Sequence, residues 1–304
     1  MNNNFVFMAF AKGQTSLEPT IAPKYIGVAP VSILAVNPNK ATLEKIYNRT
    51  FEEEPNYITE TTDATGEVIP SVRINFVVKT DSERTNSIDM TTNVSFFLQK
   101  RYQQGSQSGK YKIIDKYGRT AWATKEVIEA KQIPMYTNGP ANIDKDYRPC
   151  YVGEEELTNF LKNYMNIPNI QVYLNGSWVN NPKVNPLDCE ARLEHIEDYF
   201  KGNFKELSDI INYQPNNKVK VLFGIRTSNE GRLYQSVYTQ MTLKNSITDY
   251  SNLERDLQER KQRGWGSNQE FEVCDLKEYS VIPSNVEATN SVLPNYEDTE
   301  VSPW

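Results

Sequence analysis

Two patterns of hydrophobic and polar positions divide this chain. Runs rich in β-branched and aromatic residues predict strands before residue 125 and after residue 217. The runs cover residues 25–36 (interrupted at Pro30), 72–78, 94–98, 111–115, 120–124, 218–227, 232–243 and 270–282. The turn at Tyr117-Gly118 and the turn at residues 228–231 each predict a hairpin between the runs on either side.

Between residues 150 and 216 the hydrophobic period changes to about 3.6, which predicts helices. One helix carries its apolar face at Leu157, Phe160, Leu161 and Tyr164. Asn185-Pro186 predicts the start of a second helix that contains His195 and ends near Gly202. Capping patterns predict three more helix starts, which are Asn37-Pro38, Asn203 with Glu206, and Ser251-x-x-Glu254.

The order of strands, helical block and strands predicts a β-rich α+β fold. Late strands need partners, and the early strands are their natural neighbours, so the helical block at 153–216 is expected to be an insertion. An OB-fold-like Greek-key barrel suits this order. The expected organisation is a flexible N-terminus at 1–23, a domain at 24–282 and a disordered acidic tail at 283–304.

Charge is unevenly distributed along the 304 residues, although the net charge is −6. Residues 278–304 hold five of the 39 acids and no Lys or Arg, which leaves 34 acids against 33 bases in the remainder. Residues 100–125 hold seven bases and one acid. The acidity therefore belongs largely to the tail, and the basic residues concentrate in one segment.

No pattern of catalytic or metal-binding residues stands out. Three scattered cysteines and a single histidine form neither a disulfide framework nor a zinc pattern, and they suit a reducing, intracellular compartment. Nucleotide-binding glycine motifs are absent, and no apolar run is long enough to span a membrane. We therefore expect a soluble binding protein with no cofactor and no metal, rather than an enzyme.

The basic segment at 100–125 interleaves cations with aromatic residues. Cations neutralise phosphates and flat rings stack on bases of any sequence, so this mixture predicts binding to single strands. Duplex DNA hides its base faces. The expected contacts are Lys100, Arg101, Tyr102, Lys110, Lys112, Lys116, Tyr117, Arg119 and Trp122. In an extended strand Lys110 and Lys112 share a face, which would be solvated, and Tyr111 lies on the other.

Two further places add candidate contacts. In the late hairpin, Lys218, Lys220 and Arg226 share one strand face, and Tyr234 and Tyr238 share a face of the partner strand. The sequence leaves open whether the tyrosines join the cations, because one residue of register slip inverts a strand. A short cluster at 147–151 adds Arg148.

The C-terminal tail ends in an aromatic residue after a group of acids. Such a segment can reach the basic rim of a partner and place its last side chain in an apolar pocket. The expected partner-binding residues are Glu297, Asp298, Glu300 and Trp304.

Four stretches of the chain resemble a known family, the single-stranded DNA-binding proteins of crAss-like tailed bacteriophages. They are Tyr25-Ile26-Gly27-Val28-Ala29-Pro30, Tyr117-Gly118-Arg119-Thr120-Ala121-Trp122-Ala123, Gly153-Glu154-Glu155-Glu156-Leu157 and Tyr213-Gln214-Pro215-Asn216-Asn217-Lys218-Val219. The resemblance implies an OB-fold protein that coats single strands during phage DNA replication, recombination or repair, in the cytoplasm of the bacterial host. It also implies that the tail recruits replication proteins, such as a polymerase or a primase-helicase.

Two alternatives remain open at this point. A structural or assembly protein of a virion would have a similar Tyr- and Asn-rich surface. A metal-dependent nuclease would need grouped carboxylates, and their spacing in this sequence gives it no support.

Overall fold

A computed structural model describes residues 23–62, 66, 68–99, 109–114, 120–130, 148–168, 171–174, 177–180 and 193–280. The strands are β1 (Tyr25–Val36), β2 (Ile58–Thr62), β3 (Val68–Thr80), β4 (Thr91–Gln99), β5 (Tyr111–Ile114), β6 (Thr120–Ala123), β7 (Arg148–Cys150), β8 (Gln171–Leu174), β9 (Ser177–Asn180), β10 (Lys218–Thr227), β11 (Leu233–Lys244), β12 (Gln269–Phe271) and β13 (Lys277–Glu278). The helices are α1 (Lys40–Tyr47), α2 (Lys125–Glu129), α3 (Glu154–Tyr164), α4 (Ile196–Tyr199), α5 (Lys205–Tyr213) and α6 (Ser251–Gln262).

The main sheet is antiparallel, which confirms the predicted β-rich class. Its long strands follow the order β11-β10-β1-β3-β4, and β2, β12 and β13 add short pairings to β3, β10 and β1. Cα atoms of β11 and β4 approach within 8 Å, but no ladder joins these two strands in the described part of the chain. The sheet is therefore strongly curved. Two small sheets, with strand orders β6-β5-β7 and β8-β9, are separate from the main sheet.

Strand β1 is continuous through Pro30, where the sequence predicts an interruption. Its ladder with β10 runs from Gly27 to Ser32, whereas its ladder with β3 begins at Val31. The Pro30 carbonyl accepts the Asp81 N–H at 3.0 Å. Proline can stand in this central strand because its missing donor falls at the end of the ladder with β3.

The main core lies between the sheet and helices α3, α4 and α5. Phe160 of α3 packs on Phe76 of β3 and Phe96 of β4, with ring centroids 4.8 and 5.2 Å apart. The helices contribute further fully or nearly fully buried residues, among them Leu157, Tyr164, Tyr199, Leu207 and Ile211. The block at 153–216 thus shares its core with the strands, and it contains the β8-β9 hairpin as well as helices.

A second, smaller core covers the other side of the sheet at β10 and β11. Leu222 and Tyr238 pack there beneath Leu253 and Leu257 of α6, together with Phe271 of β12. The sheet is therefore covered on both sides at β10 and β11. Among the described residues, no helix is both long and apolar enough to cross a membrane.

Helix α1 begins two residues later than Asn37-Pro38 predicts. Asn39 is the N-cap, and its side chain accepts the Thr42 N–H at 3.0 Å. Asn37 instead bonds β3, because its amide donates to the Arg73 carbonyl at 3.0 Å and accepts the Asn75 N–H at 2.6 Å. The side chain of Asn37 replaces a backbone partner where the ladder between β1 and β3 ends.

The predicted helix start at Asn185-Pro186 lies outside the described residues, and the other predicted caps are confirmed only in part, since Asn203 Oδ1 accepts the Lys205 N–H at 3.1 Å at the start of α5. His195 precedes α4 and does not lie inside a helix. Glu206 caps nothing, because its carboxylate accepts the N–H groups of Glu194 and His195 and the hydroxyl of Tyr199. Burial and this carboxylate raise the pKa of Tyr199. Helix α6 begins at Ser251 as predicted, but its N-cap residue is Tyr250, and Asp249 accepts the Ser251 N–H at 3.0 Å.

The last predicted strand, at 270–282, is replaced by the two short strands β12 and β13. Only its first part, through residue 280, lies within the described residues. The backbone between β12 and β13 passes close to β1, where Val28 N–H donates to the Cys274 carbonyl at 2.8 Å. The segment from β12 to β13 is therefore held by both β1 and β10.

The residues that flank positions 100–151 meet at one place, and we call residues 100–151 the insertion segment. Gln99 at the end of β4 exchanges two backbone hydrogen bonds with Val152, at 3.2 and 2.9 Å. Gly153 follows with φ +85°, and a Cβ built there would lie 2.1 Å from the Phe97 carbonyl oxygen. Glycine is thus required at the point where the insertion segment returns to the sheet.

Replacing this glycine should destabilise the protein strongly. We expect Gly153→Ala to lower the free energy of unfolding by more than about 3 kcal/mol, because backbone strain adds to the clash with β4. Urea unfolding followed by circular dichroism measures the change. The matched control is Gly231→Ala, where φ is +76° and an added Cβ meets nothing within 4 Å. Equal losses in the two variants would contradict the requirement for close approach.

Candidate nucleic-acid interface

The outer side of β3 and β4, away from the main core, carries a cation directly beside an aromatic ring. We call this surface the outer strand face. Arg73 pairs with Phe97 across the ladder, Arg73 is exposed, and Phe97 is 39% exposed. The Arg73 guanidinium lies 5.6 Å from the ring centroid of Tyr57, whose own hydroxyl donates to the Pro38 carbonyl. Arg73 therefore lies within cation–π distance of one ring and is the cross-strand neighbour of another.

A stripe of amide and hydroxyl groups continues along the same face. Ser95 Oγ donates to Asn75 Oδ1 at 2.7 Å, and Asn75 Nδ2 donates to Asn93 Oδ1 at 3.2 Å. Tyr47 of α1 donates its hydroxyl to the same Asn93 oxygen at 3.3 Å. Burial raises the pKa of Tyr47, although the charge of Arg49 opposes it, and the hydroxyl therefore stays a donor at neutral pH. These bonds fix the polar groups beside Phe97 and Arg73.

A second cation and ring lie beside this stripe, after α1. Arg49 Cζ is 4.3 Å from the ring centroid of Phe51 and 5.5 Å from that of Tyr47. The chain can bring them together because Asn48 adopts a left-handed conformation, with φ 48°, at the end of α1. Cation–π geometry of this kind leaves a flat ring and a positive charge side by side.

The predicted hairpin of the basic segment is confirmed, as β5 pairs with β6. Ile113 and Ala121 form its small core against α2. Trp122 pairs directly with Lys112, whose ammonium lies 5.9 Å from the indole centroid. Trp122 is half-buried, and Lys110 lies at the start of β5. The structure thus brings three of the predicted contacts onto one small sheet.

Lys112, expected on a solvated face, is largely buried. Its side chain is 13% exposed, and its ammonium bonds the Glu155 carboxylate at the start of α3. Burial acts to lower the pKa of Lys112, but the hydrogen bond and charge of Glu155 outweigh it and the pKa is raised. This ion pair anchors the small sheet to α3. The Lys112 ammonium is therefore already bonded to Glu155 and is less able to bind a phosphate.

The late hairpin has the register that places its tyrosines on the face of the cations. Arg226 pairs with Tyr234, and Leu222 pairs with Tyr238. Arg226 and Tyr234 are both exposed, the tyrosine by 49%, and Arg226 makes no ion pair with any described residue. This end of the hairpin, next to the turn at 228–231, therefore keeps a cation beside an exposed ring.

Two other predicted contacts of the hairpin are corrected by the second core. Tyr238 is fully buried and donates its hydroxyl to Asp256 of α6, and burial with this carboxylate raises its pKa. Lys220 is 8% exposed, and its ammonium bonds the Ile247 carbonyl and the Tyr250 hydroxyl. Tyr238 lies beneath α6, and Lys220 is buried against the residues just before α6, so neither can reach a nucleic acid. Lys218 remains partly exposed and pairs with Asp81.

Several predicted contacts lie outside the described residues. The backbone of Arg148 belongs to β7, and its side chain is not described. The contacts and tail residues outside the described ranges are Lys100, Arg101, Tyr102, Lys116, Tyr117, Arg119, Glu297, Asp298, Glu300 and Trp304. Lys100 follows Gln99 directly, so the basic segment begins three residues after Phe97.

Four residues of the outer strand face and its flank were missed from the sequence. They are Arg49, Phe51, Arg73 and Phe97. A signal for two of them was present. Consecutive residues of a strand point to opposite faces, so Phe96 and Phe97 cannot both be buried in one core, and Arg73 interrupts an otherwise apolar strand.

No protein-family model matches this chain, and neither a curated protein nor a solved structure is significantly similar to it. Within the described residues, no group of three or more His, Cys, Asp or Glu side chains could hold a metal ion. The interpretation of the site therefore depends on its own geometry.

Removing the anchor of the small sheet should loosen it. We expect Glu155→Gln to lower the free energy of unfolding by about 1–3 kcal/mol, because it leaves the Lys112 ammonium without its carboxylate. The folded-state pKa of Lys112 is raised, so the contribution is complete below its ordinary value of 10.5 and is lost as pH rises through the raised value. Hydrogen exchange at β5 and β6, with urea unfolding, measures both effects.

The matched control is Glu129→Gln, which breaks an exposed ion pair with Lys125 at 3.8 Å. Pairs of that kind contribute only about 0.2–1 kcal/mol. If the two variants show the same small loss, the small sheet does not depend on Glu155.

Proposed function

We propose that this chain binds single-stranded DNA without sequence preference, on the outer strand face. The observation that carries the proposal is the exposed Arg73 beside the exposed Phe97, on a polar sheet surface. Flat rings stack on bases of any sequence, and cations neutralise the phosphates between them. Duplex DNA offers no base face to Phe97, so the same surface favours single strands.

The strand order supports an OB-fold as the scaffold. An OB-fold is a five-stranded Greek-key barrel that binds oligonucleotides on its second and third strands and on the loops between strands one and two and between strands four and five. Here β1, β3, β4, β10 and β11 would be the five strands, with α3 between the third and fourth. The pairings β1–β3, β3–β4, β1–β10 and β10–β11 fit that order.

The positions of the candidate contacts fit the same scaffold. Arg73 and Phe97 would lie on the second and third strands, and Arg49 and Phe51 would lie in the first of the two binding loops. Arg226 and Tyr234 would flank the second loop. The basic segment at 100–125 begins next to Phe97 and would extend the surface through Trp122 and Lys110.

We further propose the setting that the family resemblance implies. The protein would coat single strands during phage DNA replication, recombination or repair in the cytoplasm of the bacterial host. Its acidic tail would recruit replication proteins through Glu297, Asp298, Glu300 and Trp304. Support for this setting comes from the resemblance and from the segregated charge of the tail.

Titration of a fluorescent oligo-dT of about 30 nucleotides, roughly twice the largest site known for one OB-fold, tests the proposal. We expect binding that weakens with salt and a preference over duplex DNA of the same length. Phe97→Ala should weaken binding by about tenfold, since stacking contributes about 1–3 kcal/mol per base. Arg73→Gln should weaken binding less and should reduce its salt dependence.

The matched control is Val68→Ala, which truncates an exposed apolar side chain on the same strand as Arg73 but away from the outer contacts. It should bind as the wild type does. Absence of binding at low salt would overturn the proposal and would favour a structural role in a virion, where the protein should co-purify with particles.

A further inference from the structure

A polar groove lies at the far end of β3 from Arg73, where helix and strand ends meet. Its volume is about 520 Å³, a size typical of ligand sites. The lining contains no carboxylate and no large apolar side chain apart from Tyr164. We call it the asparagine groove because five asparagines line it, namely Asn163, Asn166, Asn216, Asn217 and Asn245. Arg84, Lys218 and Ser246 complete the polar lining.

The groove has an excess of positive charge. Lys218 pairs with Asp81, whose side chain is 9% exposed behind it. Arg84 approaches the same carboxylate at 3.8 Å and donates to Asn245 Oδ1 at 3.5 Å, while its side chain remains 60% exposed. Two cations therefore share one carboxylate, and Arg84 is the one that solvent and an anion can reach.

The asparagines offer both donors and acceptors to a ligand. Asn163 Nδ2 donates to the Thr242 carbonyl at 2.8 Å, and Asn217 Nδ2 donates to the Tyr164 carbonyl at 2.9 Å. These bonds fix the two amides and leave their oxygens as acceptors. The Asn216 side chain makes no hydrogen bond with any described residue, so its amide can bond a ligand in either sense.

An exposed aromatic residue lies three residues before Asn216 of the groove lining in the sequence. Tyr213, the last residue of α5, is 81% exposed, more than any other large apolar or aromatic side chain in the described part of the chain. The next residue is fixed to the groove wall, because the Gln214 carbonyl accepts the Tyr164 hydroxyl at 2.7 Å and the Asn217 N–H at 3.1 Å. Tyr213 therefore directly precedes a turn whose backbone is bonded to the groove wall.

From these features we infer that the asparagine groove binds one nucleotide unit of single-stranded DNA, as a second contact point separate from the outer strand face. Tyr213 stacks on the base, the asparagine amides bond the polar edges of the base or sugar, and Arg84 binds the phosphate. Asp81 follows the last residue of β3 and lies eight residues after Arg73, which separates the two contact points by roughly 26 Å. The inference rests on the proposed function, which it extends by a longer path for the strand.

The test compares the affinities of variants for oligo-dT of about 30 nucleotides, long enough to reach both contact points. Tyr213→Ala should weaken binding about tenfold, and Tyr213→Phe should bind as the wild type does, because the flat ring is kept. Arg84→Gln should lower the slope of log affinity against log salt by about 0.7, which corresponds to one phosphate contact on a single strand. Photo-crosslinking with 5-iododeoxyuridine and peptide mapping should place a cross-link within residues 213–218.

The matched control is Lys205→Gln, which removes an exposed cation from the same helix as Tyr213 and should leave the salt slope unchanged. Wild-type affinity of Tyr213→Ala, with Phe97→Ala still weakened, would overturn this inference and leave the proposed function standing. No binding by the wild-type protein at low salt would overturn both.

Discussion

The packing of Phe160 on Phe76 and Phe96 is the interaction on which the rest of the arrangement depends. It holds α3 against the inner side of β3 and β4. Because α3 lies there, its start at Gly153 must pass close to the Phe97 carbonyl, and Val152 must pair with Gln99. The insertion segment is then tied at both ends to one corner of the sheet. Because α3, α4 and α5 pack on the inner side, Phe97 faces away from the main core and can remain exposed.

Coverage of the sheet decides which of its cations can bind a ligand. At β10 and β11 helix α6 covers the outer side. The Lys220 ammonium is bonded there to the Ile247 carbonyl and the Tyr250 hydroxyl. On the outer side of β3 the cover is incomplete, and Arg73 stays exposed beside Phe97. A buried ammonium must be bonded within the protein, because an unpaired buried charge costs more free energy than it can return. The buried Lys112 ammonium is likewise paired, with Glu155. Arg226 lies at the open end of the hairpin, where it is exposed and needs no partner within the protein.

Much of the fold was predictable because strands impose short-range patterns. The runs at 72–78 and 94–98 became β3 and β4, and the late hairpin formed as expected. The fates of Tyr238 and Lys220 were not predictable, since they depend on α6 packing over the hairpin, a contact between segments with no shared local pattern. Asn37 shows the same limit. Its sequence context, Asn-Pro, is that of a helix cap. Its side-chain amide instead forms hydrogen bonds with the backbone of β3, where the ladder between β1 and β3 ends. The Phe96-Phe97 pair carried a usable signal that two adjacent strand residues cannot share one core.

The net charge of −6 constrains how such a protein could hold a polyanion. A chain of this charge gains little from long-range attraction to DNA, and its tail would repel the strand. Affinity would then have to come from short-range contacts at which rings and cations are already in place. The Arg49–Phe51, Arg73–Phe97 and Arg226–Tyr234 pairs each supply one ring and one positive charge at adjacent positions. Since stacking is insensitive to salt and phosphate contacts are not, a surface with few cations per ring should retain more of its affinity at high salt than a surface of lysines would.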